Sequence, residues 1–286
     1  MFKLPAYKAV VFAGGGARCF WQAGFWKAVA PALASPPQVV TAVSAGASTA
    51  CHALAGTFQR SLEYYLEGHA VRAREGYKRS PLNLRPDHER VVFYRRAFTE
   101  VIRGEPLERL RSGPELRVLM AAPPVWAPGS LGILVGFLAY TLEKSLVQPL
   151  HPTWAQRLGF RPVVGVANQC DTVEQVAELV LASSCVPPIM EPVHWQGQSV
   201  LDGGLIDNAP LALLTAQERP ALIMLTRRYP AGKLRGHPGL TYVQPSEPLP
   251  ISKWESANPT ALQAAVDLGL ADGERFLRAG PEALLT

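Results

Sequence analysis

Residues 39–48 read Val39-Val40-Thr41-Ala42-Val43-Ser44-Ala45-Gly46-Ala47-Ser48, and this stretch decides the expected fold. A short run of mostly β-branched residues ends at a serine, and small residues then open an alanine-rich segment. This pattern is typical of a nucleophile elbow, in which a strand, a sharp turn and a helix hold a reactive serine at the turn. Small residues are needed two positions either side of that serine, and Ala42 and Gly46 stand there. We therefore predict that Ser44 is a nucleophile.

Two other interpretations of the stretch stay open at this point. Ser44 could be an ordinary serine in a Gly/Ala turn. Ser48 is a second candidate nucleophile, because Gly46 and Ala50 flank it at the same spacing. Ser48 would lie a full turn inside the helix, where a serine hydroxyl bonds back to a backbone carbonyl. Ser44 is therefore the better candidate.

The segments around this stretch predict a sheet enclosed by helices. Residues 9–13 form a continuous apolar run, which indicates a strand buried on both faces. Further strands are predicted at residues 116–121, 162–167, 198–201 and 221–226, and helices at residues 18–33, 45–68, 89–103, 172–182, 210–217 and 260–278. Strands that alternate with helices favour parallel pairing through right-handed crossovers. The predicted fold class is α/β, a three-layer α/β/α sandwich with a mostly parallel central sheet, in a single domain over residues 1–286.

The composition narrows the class of protein. The chain has 286 residues, of which 48% are apolar and 18% charged, and this balance excludes a disordered protein. The four cysteines are dispersed, without a CxxC pair or a His/Cys cluster at metal-ligand spacing, so the sequence predicts no metal site. The N-terminus shows no signal-peptide pattern, and we expect a cytoplasmic protein with reduced thiols.

Two features bear on partners. Residues 60–117 hold 13 Lys and Arg against 9 Asp and Glu, much of the net charge of +5. A basic surface can meet lipid head groups or nucleic acid, but a solvated helical face is favoured here and no nucleic-acid partner is predicted.

The apolar run at residues 131–142 is too short for a bilayer span, which needs about 20 residues. A packed helix is favoured there, and a membrane-contacting lid is the alternative. With the basic surplus at residues 72–96, this segment predicts peripheral contact with a membrane or micelle surface.

The glycine-rich stretch Gly14-Gly15-Gly16-Ala17-Arg18 has three interpretations. A dinucleotide fingerprint would need a third glycine where Cys19 stands, and an acidic residue where Ser44 ends the second strand. A phosphate-binding loop would need a Gly-Lys-Ser/Thr sequence, which does not follow. As an oxyanion hole the stretch is suitable, because consecutive glycines let backbone N–H groups converge beside a helix N-terminus. The first two strands are expected to be neighbours, so this loop would lie beside Ser44.

A nucleophilic serine needs a base, and none of the six histidines lies in a motif that indicates one. His237 follows Ser44 and the later aspartates in the order of α/β-hydrolases, but it lies in a polar Gly/Pro turn, so a surface position is expected. Asp202 is the better candidate, since Asp202-Gly203-Gly204 comes directly after a predicted strand. An ordinary Asp-Gly turn is the alternative.

In this order, the set Gly14-Gly15-Gly16-x-Arg18, Ser44-x-Gly46 and Asp202-Gly203-Gly204 resembles the patatin-like phospholipase family. The blocks at residues 182–188 and Asn208-x-Pro210 are also similar to that family, and the similarity runs from Lys8 to the final helix. Two residues depart from the pattern. Ala42 stands where the family usually has Gly, and Cys19 stands where a Gly commonly follows the Arg.

The resemblance implies a Ser–Asp dyad. Ser44 would attack an ester carbonyl, and Asp202 would accept its proton and later activate water. Backbone amides within the oxyanion loop, Gly14, Gly15, Gly16 and Ala17, would hold the oxyanion at about 3 kcal/mol per donor. Because an exposed carboxylate with a pKa near 3.9 is a weak base, the mechanism requires a buried Asp202 whose pKa is raised.

The resemblance also implies supporting roles and a substrate. Arg18 would brace the loop or face a lipid phosphate, and Gly46, Gly203 and Gly204 would support the turns. The implied activity is hydrolysis of phospholipid or lysophospholipid esters through an acyl-enzyme, without a metal or other cofactor. Two alternatives stay open. They are neutral-lipid hydrolysis or acyl transfer by the same dyad, and a non-catalytic nucleotide- or lipid-binding module.

Overall fold

A mixed sheet forms the centre of the computed structural model, which describes residues 3–77, 86–127, 129–147 and 149–285. The strands are β1 (Ala9–Phe12), β2 (Val39–Val43), β3 (Glu115–Ala122), β4 (Arg161–Val166), β5 (Val193–Trp195), β6 (Gln198–Asp202), β7 (Ala221–Met224) and β8 (Leu240–Val243). Their order is β5-β6-β3-β2-β1-β7-β8, and β4 also pairs with β3. The pairs from β3 through β2, β1 and β7 to β8 are parallel, whereas β4, β5 and β6 pair antiparallel.

Helices cover both faces of this sheet. They are α1 (Cys19–Val29), α2 (Ala45–Ala55), α3 (Phe58–Arg74), α4 (His88–Ile102), α5 (Glu105–Ser112), α6 (Ser130–Leu146), α7 (Trp154–Arg157), α8 (Val173–Ser183) and α9 (Pro259–Ala279). Alternate strand residues point to opposite faces. Val10 and Phe12 enter a core with α1, α2, α4, α5, α8 and α9, while Val43 and Leu119 enter one with α6 and α7. The predicted three-layer α/β/α fold is confirmed.

The last helix closes the core over the first. The indole Nε1 of Trp21 in α1 donates to Oδ2 of Asp272 in α9 at 2.9 Å, and both residues are fully buried. The rings of Phe25 and Phe276 pack beside this bond with their centroids 5.5 Å apart. The position of α1, which follows the glycine-rich stretch, therefore depends on the last helix of the chain.

Some sequence-based element predictions were wrong. The helix predicted at residues 45–68 is two helices, because Gly56 ends α2 with a left-handed φ of 68°. The helix predicted at residues 210–217 consists of two short 3-10 turns. The second of these turns starts afresh at Thr215, whose side chain and Glu218 form a capping box. The short strands β5 and β8 were not predicted.

Ala42, which departs from the family pattern, is accommodated in the core. Its side chain is fully buried, and it belongs to the same hydrophobic cluster as Ala47 and Ala50 of α2. These neighbours are themselves small, so a methyl group at Ala42 fits between β2 and the helix that follows.

The basic segment at residues 60–117 is partly engaged within the protein. Arg72 is buried, with its guanidinium 4.9 Å from the ring centre of Tyr77, and Arg90 pairs with Asp87 at 3.1 Å. Lys78, Arg79 and Arg85, which contribute to the surplus, lie outside the described residues. The described arginines named here are therefore not a free basic surface.

The apolar run at residues 131–142 is helical, and its Ile133 and Val135 pack against the core, but the prediction of core packing is wrong for its leucines and Phe137. Its leucines and Phe137 are exposed, and its glycines face the protein. Within the described ranges, no helix combines the length and the apolar character that crossing a membrane requires.

Candidate active site

Ser44 lies at the turn between β2 and α2 in a strained backbone conformation. Its φ is 56° and its ψ is −138°, a region that residues other than glycine rarely adopt. The backbone N–H of Ser44 donates to Oγ of Ser183 at 2.8 Å, and that hydroxyl donates to the carbonyl of Leu119 at 2.7 Å. The side chain of Ser183 is fully buried. It therefore fixes the strained turn to β3.

Gly46 allows α2 to begin directly against β1. A Cβ at this position would lie 2.5 Å from the carbonyl oxygen of Ala13 and 2.7 Å from that of Phe12. Both are backbone atoms that cannot rotate away. The flanking glycine predicted from the sequence is thus required by close packing of the helix on the strand.

Asp202 reaches Ser44 across one intervening strand. Val43 pairs with Leu119 on β3, and the next residue of β3, Met120, pairs with Asp202 on β6. This register brings Oγ of Ser44 within 2.7 Å of Oδ2 of Asp202, to which it donates. Oδ1 of the same carboxylate accepts from the N–H of Gly204 at 2.7 Å, at the turn that begins with the buried Gly203.

Burial governs the electrostatics of Asp202. Removal from water raises the pKa of its carboxyl above the ordinary value, because the charged form loses hydration. The positive charge of Lys253 and the hydrogen bonds from Ser44 and Gly204 act in the opposite direction, and burial is the larger effect. The carboxylate is therefore more basic than one on the surface.

The glycine-rich loop, residues 14–18, lies beside Ser44 and Asp202. In the described structure, only some of its backbone N–H groups are without a hydrogen-bond acceptor. The N–H of Gly14 donates to the carbonyl of Asn208 at 2.9 Å, and the N–H of Ala17 donates to that of Lys253 at 3.1 Å. Among the described residues, none accepts from the N–H of Gly15 or Gly16. Of the four predicted donors, these two are the ones that remain available.

The loop is held in place by several partners. The carbonyl of Gly14 accepts from Oγ1 of Thr226 at 2.6 Å and from Nδ2 of Asn208 at 3.1 Å. Nε of Arg18 donates to the carbonyl of Gly15 at 3.4 Å, so Arg18 contacts the loop itself. Gly16 has a φ of 58°, and a Cβ there would lie 2.1 Å from the carbonyl of Lys253. Only glycine fits at this position.

Four of these supporting residues were not predicted from the sequence. Ser183 and Asn208 stand in blocks that resemble the family, but nothing in those blocks indicated their hydrogen bonds. Thr226 and Lys253 carry no sequence signal, because they come from the segment after β7 and from a loop far along the chain. Their contribution is visible only once the fold brings them to the glycine loop.

Three other residues considered in the sequence analysis are not part of the hydrogen-bonded pair of Ser44 and Asp202. Ser48 lies one turn inside α2, and among the described residues its hydroxyl forms no hydrogen bond with a backbone carbonyl, so the expected back-bond is not seen. His237 is exposed, as expected, and its ring contacts the carbonyl of Lys233. Cys19 is buried with its thiol donating to Ala13, and burial raises its pKa to about 12. Such a thiol is unreactive at neutral pH.

An apolar cavity of about 140 Å³ opens at Ser44 and Asp202. It passes between α2, α4 and α8, and its wall includes Phe20, Tyr94, Phe98, Val180 and Met190. His52 also lines it, and burial lowers the pKa of its imidazole to about 3, so this ring is neutral. Within the described ranges, no three His, Cys, Asp or Glu side chains are grouped so that they could hold a metal ion.

Comparisons with known proteins give a family match and a structural match. Residues 10–215 match the family model described as Patatin-like phospholipase. The fold is similar to the crystal structure of VipD from Legionella pneumophila, with a TM-score of 0.50 and 14% sequence identity over 96% of this chain and 67% of that one. None of the curated proteins compared by sequence is a significant match.

Proposed function

Because the chain belongs to the patatin-like phospholipase family, we propose that it is a lipid acyl hydrolase that cleaves carboxylic esters of membrane lipids. In this proposal Ser44 is the nucleophile and Asp202 is its base. The observation that carries it is the 2.7 Å hydrogen bond from Ser44 to a buried Asp202 at a strained turn. We further propose that residues 1–286 form one acyl hydrolase domain.

The proposed reaction has two halves. In the first, Oγ of Ser44 attacks the ester carbonyl while its proton passes to Oδ2 of Asp202. The tetrahedral intermediate places its oxyanion at the N–H groups of Gly15 and Gly16, and it collapses to an acyl-serine as Asp202 gives the proton to the leaving alcohol. In the second half, water attacks the acyl-serine, Asp202 accepts its proton, and Oγ recovers a proton as the fatty acid leaves.

The surroundings of Asp202 support its assignment as the base. Its raised pKa moves it closer to the operating pH, where proton transfer from a hydroxyl is more effective. The charge of Lys253 partly offsets the burial, so the carboxylate can still ionise. The resemblance allows two roles for Arg18, bracing the loop or facing a lipid phosphate. Its hydrogen bond to the carbonyl of Gly15 supports the bracing role.

The apolar cavity supports a lipid substrate. It begins at the two reacting side chains and is lined largely by aromatic and aliphatic groups, which suit an acyl chain rather than a polar metabolite. The ester to be cleaved would then lie at the mouth of the cavity, with the rest of the lipid outside it. A phospholipid or lysophospholipid presented by a membrane or micelle is the substrate class we propose.

Labelling with a fluorophosphonate probe tests the nucleophile. We expect one phosphonylated serine, mapped by mass spectrometry to Ser44, and no label on the Ser44→Ala variant. Ser48→Ala is the matched control, because that hydroxyl lines the same cavity one turn away, and it should label like the unaltered protein. A probe bound elsewhere would refute the assignment of Ser44, and an unlabelled protein would favour a non-catalytic lipid-binding module.

A further inference from the structure

Most of the large apolar side chains of helix α6 lie on its exposed face. The buried residues of this helix are small or polar, namely Gly132, Gly136, Ala139 and Glu143, and Ile133 and Val135 pack against the core while partly buried. Five large residues point outward and are 49% to 55% exposed, namely Leu131, Leu134, Phe137, Leu138 and Leu142, and Leu146 at the end of the helix is 72% exposed. A surface helix normally buries this stripe and exposes its polar side. A contiguous exposed face of this kind marks an interaction site.

The outward face continues beyond the helix. The loop before α6 packs against its first turn, where a Cβ on Gly132 would lie 2.3 Å from the carbonyl of Ala127. That loop exposes Val125 and Trp126, which are 86% and 58% exposed. The indole N–H of Trp126 donates to the carbonyl of Leu158, so the ring is held at the surface. We call these two residues and the five large residues of α6 the α6 face.

The charge around the α6 face is positive. The sole acidic residue of α6, Glu143, is buried and accepts hydrogen bonds from Thr153 and Trp154. Lys144, the next residue, lies with its ammonium 5.7 Å from the ring centre of Tyr140, whose hydroxyl accepts from Arg227 at 2.8 Å. In the described part of the chain, neither Lys144 nor Arg227 forms an ion pair.

These cations are close enough to repel one another. Burial lowers the pKa of Lys144 to about 8, and Arg227, Lys253 and Arg18 add to the effect. Nε of Arg227 is buried and has no hydrogen-bond partner in the described residues. An anion placed among these groups would relieve the repulsion.

The α6 face is joined to the candidate active site. Gly136 packs on Phe160 and lies near Leu205, which follows the Asp202-Gly203-Gly204 turn. Arg227 follows Thr226, whose hydroxyl holds the carbonyl of Gly14. A lipid layer lying against the α6 face would therefore present its head groups beside the glycine loop.

We propose that the α6 face docks the protein on an anionic lipid surface, inserting its leucines and Phe137 among the acyl chains while Lys144 and Arg227 contact lipid phosphates. The choice of lipid as the partner rests on the proposed function. It also fits the face itself. An interfacial surface combines outward aliphatic side chains, an aromatic ring at its margin and flanking cations, and carries no exposed carboxylate. A second copy of this chain would bring the same cations against each other.

Vesicle flotation of the Ser44→Ala variant tests the docking without turnover. We expect stronger binding to phosphatidylcholine vesicles that contain 30% phosphatidylglycerol than to pure phosphatidylcholine. Leu134→Gln with Leu138→Gln should lower the partition coefficient roughly thirtyfold on both, because two half-exposed leucines no longer enter the acyl region. Lys144→Ala should lower it about fivefold on the anionic vesicles only.

Val92→Gln is the matched control, since Val92 is 49% exposed on α4, outside the α6 face, and this variant should bind like its parent. With Ser44 intact, the double leucine variant should hydrolyse a soluble short-chain ester at the normal rate, which shows that it is folded. Binding that is unchanged by the double variant would overturn the proposal. So would a dimer, measured by light scattering, that the double variant dissociates while vesicle binding persists. Because vesicle binding is read without turnover, it stands apart from any failure of the hydrolase activity.

Discussion

Replacing Asp202 with Asn should lower turnover by orders of magnitude and, at neutral pH, make the protein more stable. The new amide keeps both contacts of the carboxylate. Its oxygen can accept from the N–H of Gly204, and its NH2 can donate to Oγ of Ser44, each at the 2.7 Å that the carboxylate now has. What disappears is the buried charge and the capacity to accept the proton of Ser44.

The magnitudes follow from these two losses. Removing a general base lowers kcat roughly 10²- to 10⁴-fold. Relief of one unfavourable active-site group is worth about 1 to 2 kcal/mol of unfolding free energy, or roughly 2 to 5 °C in Tm for a chain of this length. The pKa of Asp202 is raised by folding, so the wild-type protein is penalised only where the carboxylate is charged. The advantage of Asp202→Asn should therefore shrink as the pH falls through the raised pKa, and vanish below the unfolded value of about 3.9.

The assay is thermal unfolding of both proteins from pH 8 to pH 4, together with kcat on a soluble ester. Asp267→Asn, an amide replacement of an exposed carboxylate on α9, should leave kcat unaltered and give no pH-dependent gain in Tm. The assignment of Asp202 as a buried base fails if its Asn variant keeps wild-type kcat. It fails equally if that variant is the less stable protein at pH 7, or if its gain in Tm is the same at every pH.

Three further substitutions test the positioning of Ser44, the close packing at Gly46 and the protonation of His52. Ser183→Ala leaves the N–H of Ser44 and a carbonyl unsatisfied, so it should cost about 1 to 3 kcal/mol and roughly 10- to 100-fold in kcat. The neighbouring Ser184→Ala should keep wild-type kcat, and equal activity of the two variants would contradict the bridging role. Gly46→Ala places a Cβ 2.5 Å from a backbone oxygen and should cost about 1 to 3 kcal/mol or more. Gly232→Ala, with nothing within 4 Å, should change the melting temperature little, and a similar loss at both sites would argue against the packing explanation. His52 is held neutral with a pKa of about 3, so it contributes stability above pH 6.5 that is lost as the pH falls toward 3. His52→Gln should therefore narrow the difference in urea midpoint between pH 7 and pH 5, and an unaltered difference would exclude His52 as its source.

The sequence was most informative where chemistry and geometry require particular residues close together along the chain. The runs ending at Ala13 and Val43 predicted two adjacent buried strands, and these pair in parallel. The turns at Ser44 and Asp202 were placed correctly at strand ends, because a polar residue followed by glycine or alanine after an apolar run indicates a turn. The pairing of the two side chains followed from the family resemblance, not from spacing.

What the sequence did not reveal depends on tertiary contacts. From the sequence, Gly14 and Ala17 are as suitable as Gly15 and Gly16 for an oxyanion loop. In the folded protein, the N–H groups of Gly14 and Ala17 donate instead to the carbonyls of Asn208 and Lys253. The break at Gly56 was hidden, because a single glycine is tolerated within a helical pattern. The orientation of α6 was misjudged because an apolar run indicates burial on average, whereas here the small residues face inward.

The bond between Trp21 and Asp272 ties the first helix to a segment 251 positions later in the chain. During synthesis the strand–turn–helix that carries Ser44 leaves the ribosome well before α9, which holds the partner of α1. Contacts between such distant segments form late in folding. The glycine loop at the start of α1 is therefore set only after α9 has been made. A chain that ends before α9 would hold Ser44 at its turn but would have no settled glycine loop beside it.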